Sequence, residues 1–249
     1  MVSGSDATIQ IDAGLGDGVI EADLILLSHY HEDHVVGVKK SGVDASIHEK
    51  DIEGVTSWLG YLKLGGYDAS EFGTEMLEPF DWTPAEAVPF GDGAVFELGG
   101  STSIRVIPLP GHTPGHCGFF VEPDGVLYIG DIDLSSFGPY YGDASSSLSD
   151  FRSSLATVQT FDASAYVTFH HKGHQFDAAE FRRQVTRYTD VLKQREERIG
   201  ALVDSLGVVC ADDLVGRGVV YREGSKLPPF GREGERRMID SHLREMFGD

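Results

Sequence analysis

The residues best able to carry chemistry lie in one short segment, Leu26–Gly37, which reads LLSHYHEDHVVG. Four side chains of metal-binding type follow an apolar run there: His29, His31, Asp33 and His34. Alternation along an extended segment would put His29, His31 and Asp33 on one side. His34 would then turn inward where a helix begins. Burying three histidines and an aspartate without a partner is costly, so the segment predicts a metal site.

Three further apolar runs end in histidine or aspartate. They are Pro108–Cys117 (PLPGHTPGHC, with His112 and His116), Val126–Asp131 (VLYIGD) and Ala165–His174 (AYVTFHHKGH, with His170 and His171). Taken alone, the histidines of the first run could be ordinary loop residues, and Asp131 could cap a helix or bridge two cations. Open α/β sheets bind ligands at the carboxyl ends of their strands. We therefore expect these strand ends to converge on the first segment.

Short apolar segments with turn residues between them predict the strands that would position these side chains. The predicted strands are Thr8–Ile11, Leu24–Leu27, Ile104–Leu109, Gly118–Val121, Val126–Ile129 and Ala165–Phe169. A long helix is expected from an N-cap at Asp177 to about Gly207, with an apolar stripe along it. A Pro/Gly loop at Leu227–Gly231 and a final helix should follow. Strands that alternate with helices indicate a layered α/β architecture.

Four motifs resemble the metallo-β-lactamase superfamily in order and spacing, over essentially the whole chain. They are HxHxDH at 29–34, GHTPGH at 111–116, GD at 130–131 and a histidine that ends a late strand. The resemblance implies a four-layer αββα sandwich with a dinuclear metal site along one edge. Fewer residues precede HxHxDH here than is usual, which implies a shortened first hairpin and helix.

Within the superfamily, the chain is similar to the branch of glyoxalase II and the lactamase-like ribonucleases. Members of that branch often end in a small winged-helix-like unit, and Glu235, His242 and Leu243 match its end pattern. The resemblance therefore implies a catalytic domain over residues 1–205. A small, incomplete C-terminal helical extension would cover residues 206–249.

The resemblance also implies a role for each site residue. The first metal would be held by His29, His31 and His112. The second would be held by Asp33, His34 and a late histidine, for which His170 is preferred and His171 is the alternative. Asp131 would bridge the two metals, and Asp12 and His116 would support the ligands from behind.

The donor set predicts two divalent cations, with Zn²⁺ preferred and Mn²⁺ or Fe²⁺ as alternatives. Neither Cys117 nor Cys210 belongs to a CxxC pattern, so thiolate ligation is not indicated. Two adjacent cations would lower the pKa of a bridging water to about 7 and so supply hydroxide. Asp33 could orient that hydroxide and carry a proton to the leaving group. We therefore expect a metal-dependent hydrolase.

The net charge of the chain limits the classes of partner that it is expected to bind. The net charge is −20, from 40 acidic and 20 basic residues, which disfavours nucleic acid as a partner. We expect a small thioester, ester or lactone as the substrate, with phosphodiester hydrolysis or mono-iron sulfur dioxygenation as alternatives. A pocket could be lined by Trp58, Tyr61, Phe137, Tyr140 and Tyr141, unless these residues fill the core.

Dispersed acidic residues with few lysines also predict a halophilic protein. No signal peptide or apolar run of about 18 residues is evident, so a cytoplasmic location is expected.

Overall fold

The computed structural model describes residues 1–16, 18, 20–70, 78, 81–171, 173–175, 177–207 and 210–248, which form two β-sheets flanked by helices. The first sheet contains, in spatial order, β1 (Val2–Ser3), β2 (Thr8–Ile11), β3 (Leu24–Leu27), β4 (Ala45–His48) and β5 (Val88–Phe90). Strands β2 to β5 run parallel, and β1 pairs antiparallel with β2. The carboxyl ends of the parallel strands therefore share one edge.

The second sheet has the spatial order β11-β10-β9-β8-β7-β6. Its strands are β6 (Val95–Gly99), β7 (Thr102–Pro108), β8 (Cys117–Glu122), β9 (Val126–Tyr128), β10 (Ala165–Val167) and β11 (His174–Gln175). Pairing is antiparallel except between β9 and β10. Because β9 and β10 are parallel, the residues that follow both strands lie at the same edge of the sheet.

Helices cover the outer face of each sheet. On the first sheet these are α1 (Glu32–Ser41), α2 (Ile52–Thr56) and α3 (Trp58–Gly65); the second sheet carries α4 (Leu148–Val158), α5 (Ala178–Leu206) and α7 (Pro229–Phe247), with the short α6 (Ala211–Leu214) beside α7. Side chains alternate across each strand. Ile25 and Leu27 of β3 pack with α1, whereas Leu26 packs between the sheets. The expected four-layer αββα fold is confirmed.

The long helix α5 begins and ends where its sequence predicts. The Asp177 side chain accepts a hydrogen bond from the Glu180 N–H (2.9 Å), and Gly207 follows the last turn with a φ of 85°. Its buried stripe includes Phe181, Val185 and Leu192, which pack on the second sheet. The helix is thus an integral part of the sandwich.

Five strands escaped sequence analysis: β1, β4, β5, β6 and β11. They lack a simple apolar alternation, because β5 is exposed at its first two residues and β4 is buried at all four. Three predicted boundaries were also wrong. Strand β10 ends at Val167 rather than Phe169, α1 begins at Glu32, and α7 begins at Pro229 inside the expected Pro/Gly loop. Pro229 is tolerated there because the first helical residue needs no N–H partner.

The residues expected to form a C-terminal extension are helical and pack against two cores. Met238 of α7 joins the large cluster beneath α4 and α5. Ile239, Leu214 and Val219 form a smaller cluster with Ile199 of α5. Helix α7 therefore ties the C-terminal residues to the sandwich. Within the described ranges, no helix is both long and apolar enough to span a bilayer.

Candidate metal centre

The HxHxDH segment begins in a loop and ends in a helix. This change of backbone conformation determines which cluster each of its ligand side chains joins. Strand β3 ends at Leu27, and His31 is the extended residue before α1 (φ −65°, ψ 149°). Asp33 therefore lies in the first helical turn, where successive side chains are about 100° apart rather than opposed. Asp33 groups with His34 rather than with His29 and His31.

The first cluster consists of His29, His31, His112 and Asp131. Three ring nitrogens converge: His31 Nδ1 lies 3.0 Å from both His29 Nε2 and His112 Nε2, and the last two are 3.2 Å apart. Asp131 Oδ2 lies 3.3 Å from His112 Nε2. Mutually facing nitrogens of this kind are the arrangement that three imidazole ligands adopt around one cation.

The second cluster consists of Asp33, His34 and His170. Asp33 Oδ2 lies 2.9 Å from His170 Nε2, and Asp33 Oδ1 lies 3.8 Å from His34 Nε2. Asp131 Oδ1 approaches the same cluster, at 3.0 Å from His34 Nε2. The two oxygens of Asp131 thus point toward different clusters.

The residues present fit a pair of cations. His34 Nε2 and Asp131 Oδ1 are buried and lie 3.0 Å apart, yet neither atom makes a well-oriented hydrogen bond to a described residue. Burial alone would raise the pKa of Asp131, but His34 and His29 lower it well below its usual range, so the carboxylate is charged. Buried, unpartnered lone pairs are costly, and a bound cation at each cluster would satisfy them.

Asp12 orients His34 from behind. Its carboxylate accepts hydrogen bonds from Ser28 N (2.7 Å), Ser28 Oγ (2.8 Å) and His34 Nδ1 (2.9 Å), and from the Tyr128 hydroxyl. Ser28 Oγ in turn lies 3.0 Å from His29 Nδ1. One buried carboxylate therefore fixes two rings with their Nε2 atoms toward the clusters.

Asp143 orients His31 in the same way as Asp12 orients His34, and this role was not predicted from the sequence. His31 Nε2 lies 2.7 Å from Asp143 Oδ2, which also accepts a hydrogen bond from the Tyr30 hydroxyl. Burial opposes a charge on His31, yet Asp143 raises its pKa to about 9. The pair is 112 positions apart in sequence. No local motif marks Asp143, because only the fold brings it to the site.

His116 supports the site without joining either cluster. Its Nδ1 donates to Leu109 O (2.8 Å), and its Nε2 accepts from the Asp131 N–H (3.1 Å). Burial lowers the pKa of His116 to about 3, so the ring is neutral and Nε2 can accept. This contact positions the backbone of Asp131.

Asp51, which sequence analysis also missed, holds the GHTPGH loop in place. Its carboxylate accepts hydrogen bonds from Thr113 Oγ1 (2.5 Å) and Gly115 N (2.7 Å). A side chain at position 115 would clash with that carboxylate at 2.7 Å, so this glycine is required. At the start of the loop, His112 Nδ1 donates to Tyr140 O (2.9 Å), which leaves Nε2 free to face the first cluster.

The two adjacent late histidines differ in position. His170 reaches Asp33, whereas His171 has a left-handed φ of 58°, is exposed and lies 3.5 Å from Asp133 Oδ2. Because β10 ends at Val167, alternation along a strand does not separate them. The positive φ of His171 separates them instead, because it turns the chain as it leaves the site.

A cavity of about 270 Å³ opens beside both clusters. It is lined by His31, Glu32, Asp33, Tyr61, Tyr67, His112, Asp131, Tyr140, Asp143 and Phe230. Of the aromatic residues considered from sequence, Tyr61 and Tyr140 line this cavity. Trp58 and Phe137 pack against hydrophobic clusters, and Tyr141 is buried within one.

Comparison with known proteins agrees with this geometry. A hydroxyacylglutathione hydrolase of Methylococcus capsulatus is 29% identical over 214 residues, which are 80% of this chain and 70% of that protein. A β-lactamase-like protein 2 homolog of Drosophila melanogaster is 32% identical over 136 residues, which are 53% of this chain but only 41% of that protein. Several relatives are thus matched over less than half of their length.

Among solved structures, the metallo-β-lactamase family protein TTHA1429 of Thermus thermophilus superposes with a TM-score of 0.73 at 24% identity. The superposition covers 98% of this chain and 87% of that one. The model of the metallo-β-lactamase superfamily matches residues 3–171, which include all the residues of both clusters. The chain therefore belongs to the metallo-β-lactamase superfamily.

Proposed function

We propose that this protein is a metal-dependent hydrolase that acts on a small thioester, ester or lactone. The observation that carries the proposal is the pair of ligand clusters beside one cavity, with the Asp131 carboxylate oxygens directed to both. A bridging carboxylate would hold two cations a few ångströms apart, which is the spacing that hydrolytic two-metal sites use.

We further propose zinc as the metal. Five imidazoles and two carboxylates without a thiolate suit Zn²⁺, with Mn²⁺ and Fe²⁺ as the nearest alternatives. Two such ions, when bound, would supply Lewis acidity for a carbonyl oxygen and lower the pKa of a coordinated water toward about 7. The buried rings of His29, His34 and His112 would keep bulk water away from that site.

Asp33 is our candidate for proton transfer. Its carboxylate lines the cavity and lies beside His170. Burial raises the pKa of Asp33, but the hydrogen bond from His170 and the charges of His34 and His31 together leave the pKa lowered, so the carboxylate can accept a proton. It would orient the attacking water and then pass a proton from its Oδ2 atom to the leaving group.

The cavity and the relatives favour an acyl substrate. A volume of about 270 Å³ suits a small molecule rather than a polymer strand. The Methylococcus relative is named for hydrolysis of an acylated glutathione, which is a thioester. Phosphodiester hydrolysis of nucleic acid has less support, since the net charge is −20 and the described cavity lining carries no lysine or arginine.

Metal analysis with a substrate panel tests this proposal. We expect about two zinc ions per chain, and turnover of thioester or lactone but not of a phosphodiester. Asp131→Ala should lose most of the metal and at least about 100-fold in activity, whereas His116→Ala should lose about 10-fold. One iron per chain without a second site would instead indicate a dioxygenase. Turnover of phosphodiesters alone would indicate a nuclease.

A further inference from the structure

We propose that the preferred substrate carries a cationic ammonium group close to its scissile acyl bond, and that Glu32 with the cavity tyrosines binds this group. The inference rests on the proposed hydrolase function and narrows its substrate class. It follows from the composition of the cavity wall beyond the two clusters.

The cavity wall combines carboxylates with aromatic rings. Beyond the two clusters and Asp143, its described lining consists of Glu32, Tyr61, Tyr67, Tyr140 and Phe230. No lysine or arginine belongs to that described lining. A carboxylate substrate would find no lysine or arginine there, whereas an ammonium group would find both a carboxylate and aromatic rings.

Among the described carboxylates that line the cavity, Glu32 is the one that belongs to neither cluster and contacts no cluster histidine. It lies in the first turn of α1, next to Asp33, and its Oε2 accepts a hydrogen bond from the Tyr61 hydroxyl (2.7 Å). No described lysine or arginine lies within ion-pair distance of it. An ionised carboxylate accepts several hydrogen bonds, so Glu32 retains lone pairs that can face a ligand.

The charge balance leaves Glu32 uncompensated. The carboxylates of Asp12, Asp33, Asp131 and Asp143 contact the cluster histidines and together carry four negative charges. Two divalent cations would bring four positive charges, which these carboxylates balance. Glu32 then adds a net negative charge at the cavity wall, and that charge favours a cationic ligand over an anionic one.

The aromatic residues can bind a cation through their ring faces. Tyr67 already does so on one side, where the Arg237 guanidinium carbon lies 5.5 Å from the ring centroid. Arg237 itself is held by Glu233 (3.1 Å) and by the carbonyls of Gly65 and Gly66, so its charge is engaged outside the cavity. A desolvated ammonium gains more from a ring face that borders the cavity than a hydrated one does.

Three thioacetates that differ in one charge test the proposal on the zinc-loaded enzyme. They are acetylthiocholine, its carbon isostere with a tert-butyl group in place of trimethylammonium, and the thioacetate of mercaptopropionate. We expect kcat/KM for the cation to exceed that for the isostere about 10-fold, with the anion slowest. Glu32→Gln retains an acceptor for Tyr61 and should reduce the preference to about 2-fold.

Glu53→Gln is the matched control, because Glu53 pairs with Lys63 on the exposed surface (2.7 Å) and does not line the cavity. It should leave the preference unchanged. Equal kcat/KM values for the cation and its isostere would overturn the proposal, as would a preference that survives in Glu32→Gln.

Binding of phenyltrimethylammonium, measured by calorimetry, separates this inference from the proposed function. We expect Kd to rise about 10-fold in Glu32→Gln and to stay constant in Glu53→Gln. If no thioacetate is hydrolysed but this Glu32-dependent binding is present, the hydrolase proposal fails and the cation site stands. If thioacetates are hydrolysed without a charge preference and the cation does not bind, the cation site fails and the hydrolase proposal stands.

Discussion

Single hydrogen bonds at the rear of each imidazole decide which ring nitrogen faces the clusters. His31 presents Nδ1, because its Nε2 is taken by Asp143, whereas His34 presents Nε2, because its Nδ1 is taken by Asp12. A neutral imidazole has one donor and one acceptor, so fixing the donor leaves the acceptor for a metal. At the residue scale, the geometry of the site therefore depends on side chains that would never touch a cation.

The adjacent histidines permit a sharp test at the same scale. His170→Ala should lower occupancy of the second metal and reduce turnover by a factor on the order of 100. His171→Ala should leave both nearly intact, because His171 is exposed and lies 3.5 Å from Asp133 Oδ2, outside both clusters. Elemental analysis of the two variants measures the effect, with His171→Ala serving as the matched control. Metal loss in His171→Ala instead would show that His171 is the ligand.

At the scale of elements, helix α5 influences the first cluster indirectly, through the loop that contains Phe137, Pro139 and Tyr140. Arg195 is buried and donates to the carbonyls of Pro139 (2.7 Å) and Phe137 (2.8 Å). The same loop carries the Tyr140 carbonyl, which accepts from His112 Nδ1. One buried guanidinium therefore connects a helix of the outer layer to the orientation of a candidate ligand.

Removal of that guanidinium should have two separable effects. Arg195→Met leaves two carbonyls without donors and should lower the free energy of unfolding by about 2–4 kcal/mol. It should also weaken zinc binding at the first cluster about 10-fold. Lys193→Met, at an exposed position of the same helix, is the control for both measurements. A loss of stability with unchanged zinc affinity would mean that the loop holds Tyr140 without Arg195.

The buried environment of His242 on α7 allows us to predict how the packing of α7 depends on pH. Burial, with Arg152 and Arg195 nearby, lowers its pKa to about 3. Glu196 lies 3.5 Å from its Nδ1 but is already paired with Arg152. In the unfolded chain this histidine has a pKa of about 6.5. Below that pH it is therefore protonated in the unfolded chain, whereas it stays neutral in the folded chain. The stability due to neutral His242 is complete above about pH 6.5 and is lost as the pH falls toward 3.

Denaturant unfolding between pH 7 and 4 measures this effect. The free energy of unfolding should fall by up to about 1.4 kcal/mol per pH unit from this group. His242→Gln cannot titrate and should show a shallower dependence, while other groups contribute equally to both proteins. Identical pH slopes would show that His242 is not buried in its neutral form.

For the whole molecule, the charge of −20 makes the surface self-repelling at low ionic strength. The Debye length falls from about 10 Å at 0.1 M salt to about 3 Å at 1 M, so added salt should relieve this repulsion. We expect Tm to rise by about 5 °C or more from dilute buffer to molar KCl. Sucrose, which stabilises without screening charge, provides the comparison. An unchanged Tm in KCl would contradict the halophilic interpretation.

The sequence alone determined the ligand types, their order and the layered architecture. Those features are local: HxHxDH follows an apolar strand, GHTPGH restricts a loop, and the stripe of α5 has helical spacing. The edge strands β1, β5, β6 and β11 were not predicted because their burial comes from neighbours rather than from their own pattern. The interior strand β4 was not predicted because all four of its residues are buried, so it shows no alternation.

Only the tertiary structure decided what stands behind each ligand. A backbone φ sets His171 apart from His170, and the start of α1 at Glu32 gives Asp33 helical rather than extended spacing. Asp143 reaches His31 across 112 positions and lies in none of the four motifs. Hydrogen bonds and ion pairs act over a few ångströms in space, whereas spacing in sequence predicts proximity only within one element.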